Sequence, residues 1–292
     1  MASNLPEHFL TQFDTRVRNE YQFEGILQYN MFYTKMGNAQ TFKFNKQGIV
    51  YSHEHISNSP LILGTVDKSV VDVSVKFYDV DLTIDPVEQK MINYSEEQYL
   101  INSAKMAMAR RRDAVILEAI TSTATSNVIP KDISGADAGL TLEALQETAA
   151  MMDDANIPDQ GRTMVVNPRQ LHNLMKNTKV TSADFNSVKA LVNGQIDSFY
   201  GFKFVKMPSF QVAQGINASI PVDDVNDETF AYAFVASGNE SCPIGVAVNT
   251  DITFETGKLA HMGFSTLIHG LVGLGAKVID EKGMFKIVCN KI

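Results

Sequence analysis

Among the residues able to do chemistry, His53-Glu54-His55 is the tightest grouping in this 292-residue chain. In an extended segment, two imidazoles separated by one residue share a face and can chelate a transition metal. A zinc site needs a third protein ligand at a recognisable distance, and the flanking sequence supplies none. The residues leave one enzymatic alternative open, a soluble α+β metal-dependent enzyme whose activity disappears on His55→Ala. The competing reading is an exposed, hydrogen-bonding loop tip.

The other groupings are weaker. Asp223, Asp224, Asp227 and Glu228 lack the ordered oxygen spacing and the glycine of a calcium loop, which favours a solvated loop. Gly270, Gly273 and Gly275 do not make the G-x-G-x-x-G fingerprint, and no phosphate-binding lysine follows them. Ser241-Cys242-Pro243 has no assignable histidine and carboxylate, so Cys242 reads as a packed thiol. Arg110-Arg111-Arg112 is the one sharp basic run. On a helix, consecutive residues point about 100° apart, so the three guanidinium groups fan outwards. They are either a solvated flank paired with Asp113 and Glu118, or cations that meet carboxylates of an adjacent subunit. No catalytic, cofactor-binding or metal residue is assigned, and no cofactor is expected.

Composition narrows the class. The chain is 45% hydrophobic with net charge -8 and a pI near 5.3. It has enough apolar residues for one large or two ordinary domains, and it lacks the concentrated basic surface that gripping nucleic acid requires. Two cysteines cannot form a disulfide framework. The apolar run from Gly270 to Ala276 is far short of the roughly 20 residues of a membrane span. Pro6, Glu7 and His8 interrupt any signal peptide. The expectation is a globular protein kept inside a cell until release.

The elements that must position these residues follow from periodicity. Phe9, Phe13, Val17 and Tyr21 suggest a short amphipathic helix over Asn4 to Tyr21, and Phe23 to Lys35 reads as an extended arm. Phe42 and Phe44 alternate with polar residues, His53 to Pro60 is a polar tip, and Val71, Val73, Val75 and Phe77 alternate on the return. The apolar set then slips to Val80, Leu82 and Ile84, which predicts a β-bulge near Tyr78 and Asp79. Thr41 to Asp85 is thus a long bent hairpin without a core of its own.

Ser95 with Gln98 matches a capping box, and Tyr94 with Tyr99 a hydrophobic staple. They open a long helix reaching about Thr121 along Ile101, Ala104, Met108, Val115 and Ala119. Thr123 to Gly139 reads as a loop at a domain boundary. A helix from Leu142 stopped by Pro158, a strand Thr163 to Val166 and a helix capped by Asn167-Pro168 come next. Strands at Phe202 to Val205, Ala231 to Ala236 and Val246 to Val248 flank an exposed loop over Gln214 to Glu228. Gly270, Gly273 and Gly275 predict bends or close backbone approach, and a closing hairpin turns at Glu281-Lys282-Gly283 into Phe285, Ile287 and Cys289.

In this order the segments resemble the major capsid proteins of tailed bacteriophages, a fold shared with the herpesvirus capsid floor and encapsulins. The resemblance is carried by Gly37-Asn38-Ala39-Gln40-Thr41-Phe42-Lys43-Phe44, Asp81 to Asp85 ahead of the long helix with Arg112-Asp113, Arg162 to Met175, Phe199-Tyr200-Gly201-Phe202, Ile244 to Val248 and Gly273 to Ile287. It implies an α+β phage major capsid fold: an N-terminal arm (1–40), an extended β-hairpin loop (41–86), a peripheral domain with a long spine helix (87–136 and 251–292) and an axial domain (137–250). The implied function is a non-enzymatic coat subunit that self-assembles into hexamers and pentamers of an icosahedral shell around double-stranded DNA, without a membrane. Phe42, Phe44, His53, His55, Arg110, Arg111 and Arg112 are the candidate subunit-interface residues.

The resemblance also implies a capsid location in the virion and assembly in the host cytoplasm. An acidic inner wall would contact packaged DNA only non-specifically and leave it mobile. No room for a coiled-coil extension precedes Gly37, so scaffolding is expected from a separate protein, alongside portal and decoration proteins. No Lys/Asn pair for covalent crosslinking can be matched. An encapsulin-type nanocompartment shell is the alternative, distinguished by packaged enzyme in place of viral DNA.

Overall fold

Alternating side chains become strand along most of the chain, and what differs from strand to strand is what lies on the two faces. The computed structural model describes residues 24–55, 57, 60, 63–91, 96–134, 139–176 and 198–290. The expected helix over Asn4 to Tyr21 and the Tyr94 and Ser95 start signals lie outside the described residues.

The first half comprises β1 (Tyr33–Met36), β2 (Thr41–Gln47), β3 (Lys68–Ser74), β4 (Lys76–Ile84), α1 (Pro86–Met91), α2 (Glu96–Ser122) and β5 (Val128–Ile129). Next come α3 (Leu142–Asp154), β6 (Arg162–Val166), α4 (Pro168–Lys176), β7 (Ser198–Phe199) and β8 (Phe202–Lys206). The second half adds β9 (Phe210–Ala213), β10 (Ile216–Ala218), β11 (Val222–Asp223), β12 (Glu228–Val235), β13 (Ile244–Leu259), β14 (Ser265–Val278) and β15 (Phe285–Asn290). Among the described residues these strands make a seven-stranded sheet along β5-β15-β12-β6-β8-β7 with β11 beside β12, and a four-stranded sheet β1-β13-β14-β4. Two ribbons, β2-β3 and β9-β10, complete them.

The seven-stranded sheet is covered on both faces, so alternate residues of one strand enter different cores. Ala231, Ala233 and Val235 of β12 join Met164, Phe285 and Ile287 beneath α3 and α4. Phe230, Tyr232 and Phe234 point the other way, to Leu27, Phe32 and the Ile116, Leu117 and Ile120 stripe of α2. Local signals place the two helices. Thr141 caps α3 by accepting from the Ala144 N–H, and Asn167 and Gln170 cap α4 reciprocally.

The 27-residue α2, about 40 Å long at 1.5 Å per residue, bridges the two sheets. Its early turns place Met108 on Val272 and Leu274 of the four-stranded sheet, and its later turns serve the seven-stranded one. That division explains why Ile101 and Val115, expected in its apolar stripe, are only half-buried while Ile116, Leu117 and Ile120 are dry.

Several expectations need correction. No bulge lies at Tyr78 and Asp79, because β4 pairs with β14 in unbroken register from Lys76↔Leu274 to Ile84↔Thr266. The change of phase falls at Val75, where the chain leaves β2 for β14 and the Val75 N–H donates to the Gln40 carbonyl at 2.9 Å. Thr123 to Gly139 contains β5, and Gln214 to Glu228 contains β10 and β11, strands of two or three residues that are too short to show alternation. The turn at Glu281-Lys282-Gly283 does not close a hairpin, since β15 crosses to the other sheet beside β12 and β5. Of the two expectations for Gly270, Gly273 and Gly275, close approach holds, since all three lie inside the continuous strand β14. Close approach is their reason: a Cβ on Gly275 would stand 2.1 Å from the Ser74 carbonyl oxygen.

Candidate assembly surfaces

β2 and β3 pair antiparallel from Thr41↔Ser74 to Gln47↔Lys68, and the root of this ribbon packs on its own protomer. The Phe44 ring is fully buried, edge-on to Tyr33 at 5.2 Å between centroids, with the Lys35 ammonium 4.8 Å from its centroid. Val73, Val75 and Ala247 close this small cluster. Lys46 adds an ion pair to Asp280 at 2.7 Å, with both side chains partly exposed.

Beyond Gln47 the pattern reverses. The Gly48 N–H still donates to the Asp67 carbonyl at 2.8 Å. Further out, Ile49, Val50, Tyr51 and Leu63 stand in water, with Tyr51 75% and Leu63 88% exposed. A two-stranded ribbon is marginal by itself. Each such side chain, once covered, contributes about 1.5–3 kcal/mol, so a cluster of them marks a surface built to be covered.

The sequence-derived candidates distribute unevenly on this geometry. His53 and His55 sit exposed in the irregular tip, and among the described residues no cluster of three metal-capable side chains exists. Phe42 is half-buried at the root, and Phe44 is taken up entirely by its own protomer, which leaves it no surface for a neighbour. The arginines do fan out. Arg111 lies 4.9 Å over the Tyr78 ring of β4, and Arg112 lies 5.4 Å over Tyr29 of the arm. Arg110 is half-buried, and desolvation lowers its pKa. These are not simply solvated flanks: an arginine stem and guanidinium covering an aromatic face supply packing as well as charge.

Asp113 is the structural anchor that the sequence reading undervalued. It is wholly buried, and its Oδ2 accepts from the backbone N–H groups of Ile26 and Leu27, the latter at 3.1 Å, while Arg112 Nε donates to Oδ1 at 3.2 Å. Burial raises its pKa, against the opposing effect of the two N–H donors and Arg112. The carboxylate therefore ties the arm to the spine helix. A signal was available: Asp113 precedes Ile116, Leu117 and Ile120 by three, four and seven residues, on the buried stripe and not the wet side.

The remaining groups look structural. Burial pushes the Cys289 thiol up to about 12 and raises that of Cys242, so neither is a ready nucleophile. A cleft lined by Gln146, Asp153, Asp159, Arg162 and Tyr200 lies beside α3. The buried Arg162 guanidinium there is already engaged by Asp153 at 2.6 Å, Asp159 at 2.8 Å and the Ile157 carbonyl at 2.7 Å. Asp223 accepts from the Val225 and Asn226 N–H groups in a solvated turn, and Glu228 pairs with Lys131 at 2.8 Å. No described helix is long and apolar enough to cross a membrane.

Comparison with known proteins agrees with this architecture. The sequence profile of a family described as phage capsid protein matches residues 5–291. The fold is similar to the capsid structure of the cyanophage P-SCSP1u, with a TM-score of 0.76 at 16% identity, covering 100% of this chain and 96% of that one. It is also similar to a Mycobacterium phage Che8 structure, at TM-score 0.67 and 17% identity over 98% of each chain. The head structure of Helicobacter pylori bacteriophage KHP40 gives 0.69 at 10% identity, covering 96% of this chain and 94% of that one. A search of curated proteins found no match.

Proposed function

The chain belongs to the phage capsid protein family and is a structural shell subunit, and from that premise we propose that its copies form hexamers and pentamers of an icosahedral shell enclosing double-stranded DNA. The observation that carries the reading is the β2-β3 ribbon, dry at its root and wet and apolar at its far end. Its exposed side chains, with His53 and His55 at the tip and Arg110 on the spine helix, meet neighbouring copies. Arg111 and Arg112 contribute by bracing β4 and the arm within each protomer.

A typical specific interface buries roughly 1,600 Å², and a ribbon reaching across a neighbour adds contact area without enlarging the body. The four-part division of arm, extended loop, peripheral and axial regions follows, with β5 and β15 joining the axial region through the seven-stranded sheet. The net charge of -8 fits a wall that bounds DNA without gripping it. The shell resides in the virion and assembles in the host cytoplasm, with scaffolding, portal and decoration proteins supplied separately. The family is structural, which argues against a catalytic role.

Electron microscopy of the purified chain tests this directly. Closed shells are expected, or capsomers that close when a scaffold is supplied. A small monodisperse species under all conditions overturns the proposal. Nucleic acid extracted from native shells supports a virus coat, whereas a packaged enzyme points to a cargo compartment.

A further inference from the structure

The four-stranded sheet faces α2 with Tyr78, Val80, Phe254, Val272 and Leu274. Its opposite face carries a polar row across three strands: Glu255 of β13 pairs with His269 of β14, which pairs with Asp81 of β4. His269 Nδ1 lies 2.6 Å from Asp81 Oδ1. Asp79, two residues along β4, shares that face. Among the described residues, strand β4 lies at the edge of the sheet with β14 as its only ladder partner, and it continues directly from β3. Whatever holds β4 to β14 therefore anchors the ribbon.

We infer that the Glu255-His269-Asp81 row is a proton-sensitive clasp on the root of the ribbon. With His269 protonated, a cation stands between carboxylates on the two flanking strands and ties β4 to β14. With His269 neutral, Asp79, Asp81 and Glu255 share one face without a counter-charge among the described residues, and like charges on neighbouring strands weaken the pairing.

Among the described residues the charged groups facing His269 are Asp81 and Asp79 from β4 and Glu255 from β13, all acidic, and the hydrogen bond that His269 donates to Asp81 is the foremost of the effects that raise its pKa above 6.5. A raised folded-state pKa means that the stabilisation is complete below the ordinary histidine range and is lost as pH rises through the folded value. The pair is open to solvent, so the effect is small, a change of about two- to fivefold in the opening equilibrium.

Hydrogen exchange read by mass spectrometry on the full chain, at about pH 5.5 and about pH 8.5 on either side of the histidine range, tests the clasp. After correction for intrinsic exchange rates, amides of residues 76–84 should be about two- to fivefold better protected at the lower pH, while those of β12 should not change. His269→Gln should abolish the difference. Should that variant fail to fold, Glu255→Gln and Asp79→Asn leave the His269-Asp81 contact in place and should move the loss of protection to lower pH. Equal corrected protection at both pH values in the unaltered chain, or an unaltered pH response in His269→Gln, or in the other two variants, overturns the proposal.

Discussion

The seven-stranded sheet and the β2-β3 ribbon are written in the same alphabet of alternating side chains, yet the central strands β6 and β12 of the first are dry and the second is dry only at its root. Strand β12 is buried from Thr229 to Val235 because α3 and α4 cover one face while α2 and the arm cover the other. Phe44 and Val73 of the ribbon are as dry as any of these residues, but their cover ends after a few residues. Alternation thus specifies a strand with an apolar face, and the neighbouring layer decides whether that face is satisfied within one chain. In the sheet, side chains stabilise the protomer. In the outer ribbon they stay exposed, and under the proposed function they are held in reserve for assembly.

Four substitutions sharpen or break this contrast. Phe234→Ala removes a ring that packs on Phe32 at 6.0 Å between centroids and should destabilise the protomer by about 3–5 kcal/mol, measured by denaturant unfolding of disassembled subunits. Gly275→Ala places a methyl group against the Ser74 carbonyl at the junction of ribbon and sheet. A loss of about 1–3 kcal/mol is expected, together with faster proteolysis near Val75.

Asp113→Ala leaves the Ile26 and Leu27 N–H groups without their acceptor and should destabilise by about 1–3 kcal/mol. Because Asp113 anchors the arm, exchange of amides around Leu27 should rise more than exchange in β12. Tyr51→Ser should shift protomer stability by less than about 0.5 kcal/mol, as exposed positions usually do, and yet suppress shell formation in light scattering. A Tyr51→Ser subunit that assembles normally, or one that unfolds as readily as Phe234→Ala, erases the distinction between the two regions.

Much of this was legible beforehand. The Leu142 start of α3, the Asn167 cap of α4, the body of the long helix and the side-chain alternation of the ribbon are local features, and local sequence carries them. The position of the phase change at Val75 was not, because it depends on the strand changing partners. Nor were β5, β10 and β11, which exist because longer strands offered them a ladder. Of the candidate assembly residues, Arg111 and Arg112 were visible as a basic run, but the aromatic rings beneath them come from β4 and the arm, many residues away in sequence.

The amino-acid order by itself determined the bodies of α2, α3 and α4 and the alternation of the longer strands, since each rests on neighbours within a few residues, and the acidic charge, which is a sum over the chain. Only the tertiary structure decided that Asp113 faces inward to hold the arm, that Phe44 is dry while Leu63 is wet, and that His269 meets Asp81. Those outcomes depend on which surfaces are brought together across the fold, where burial and charge pairing act at a distance in sequence that no local pattern encodes.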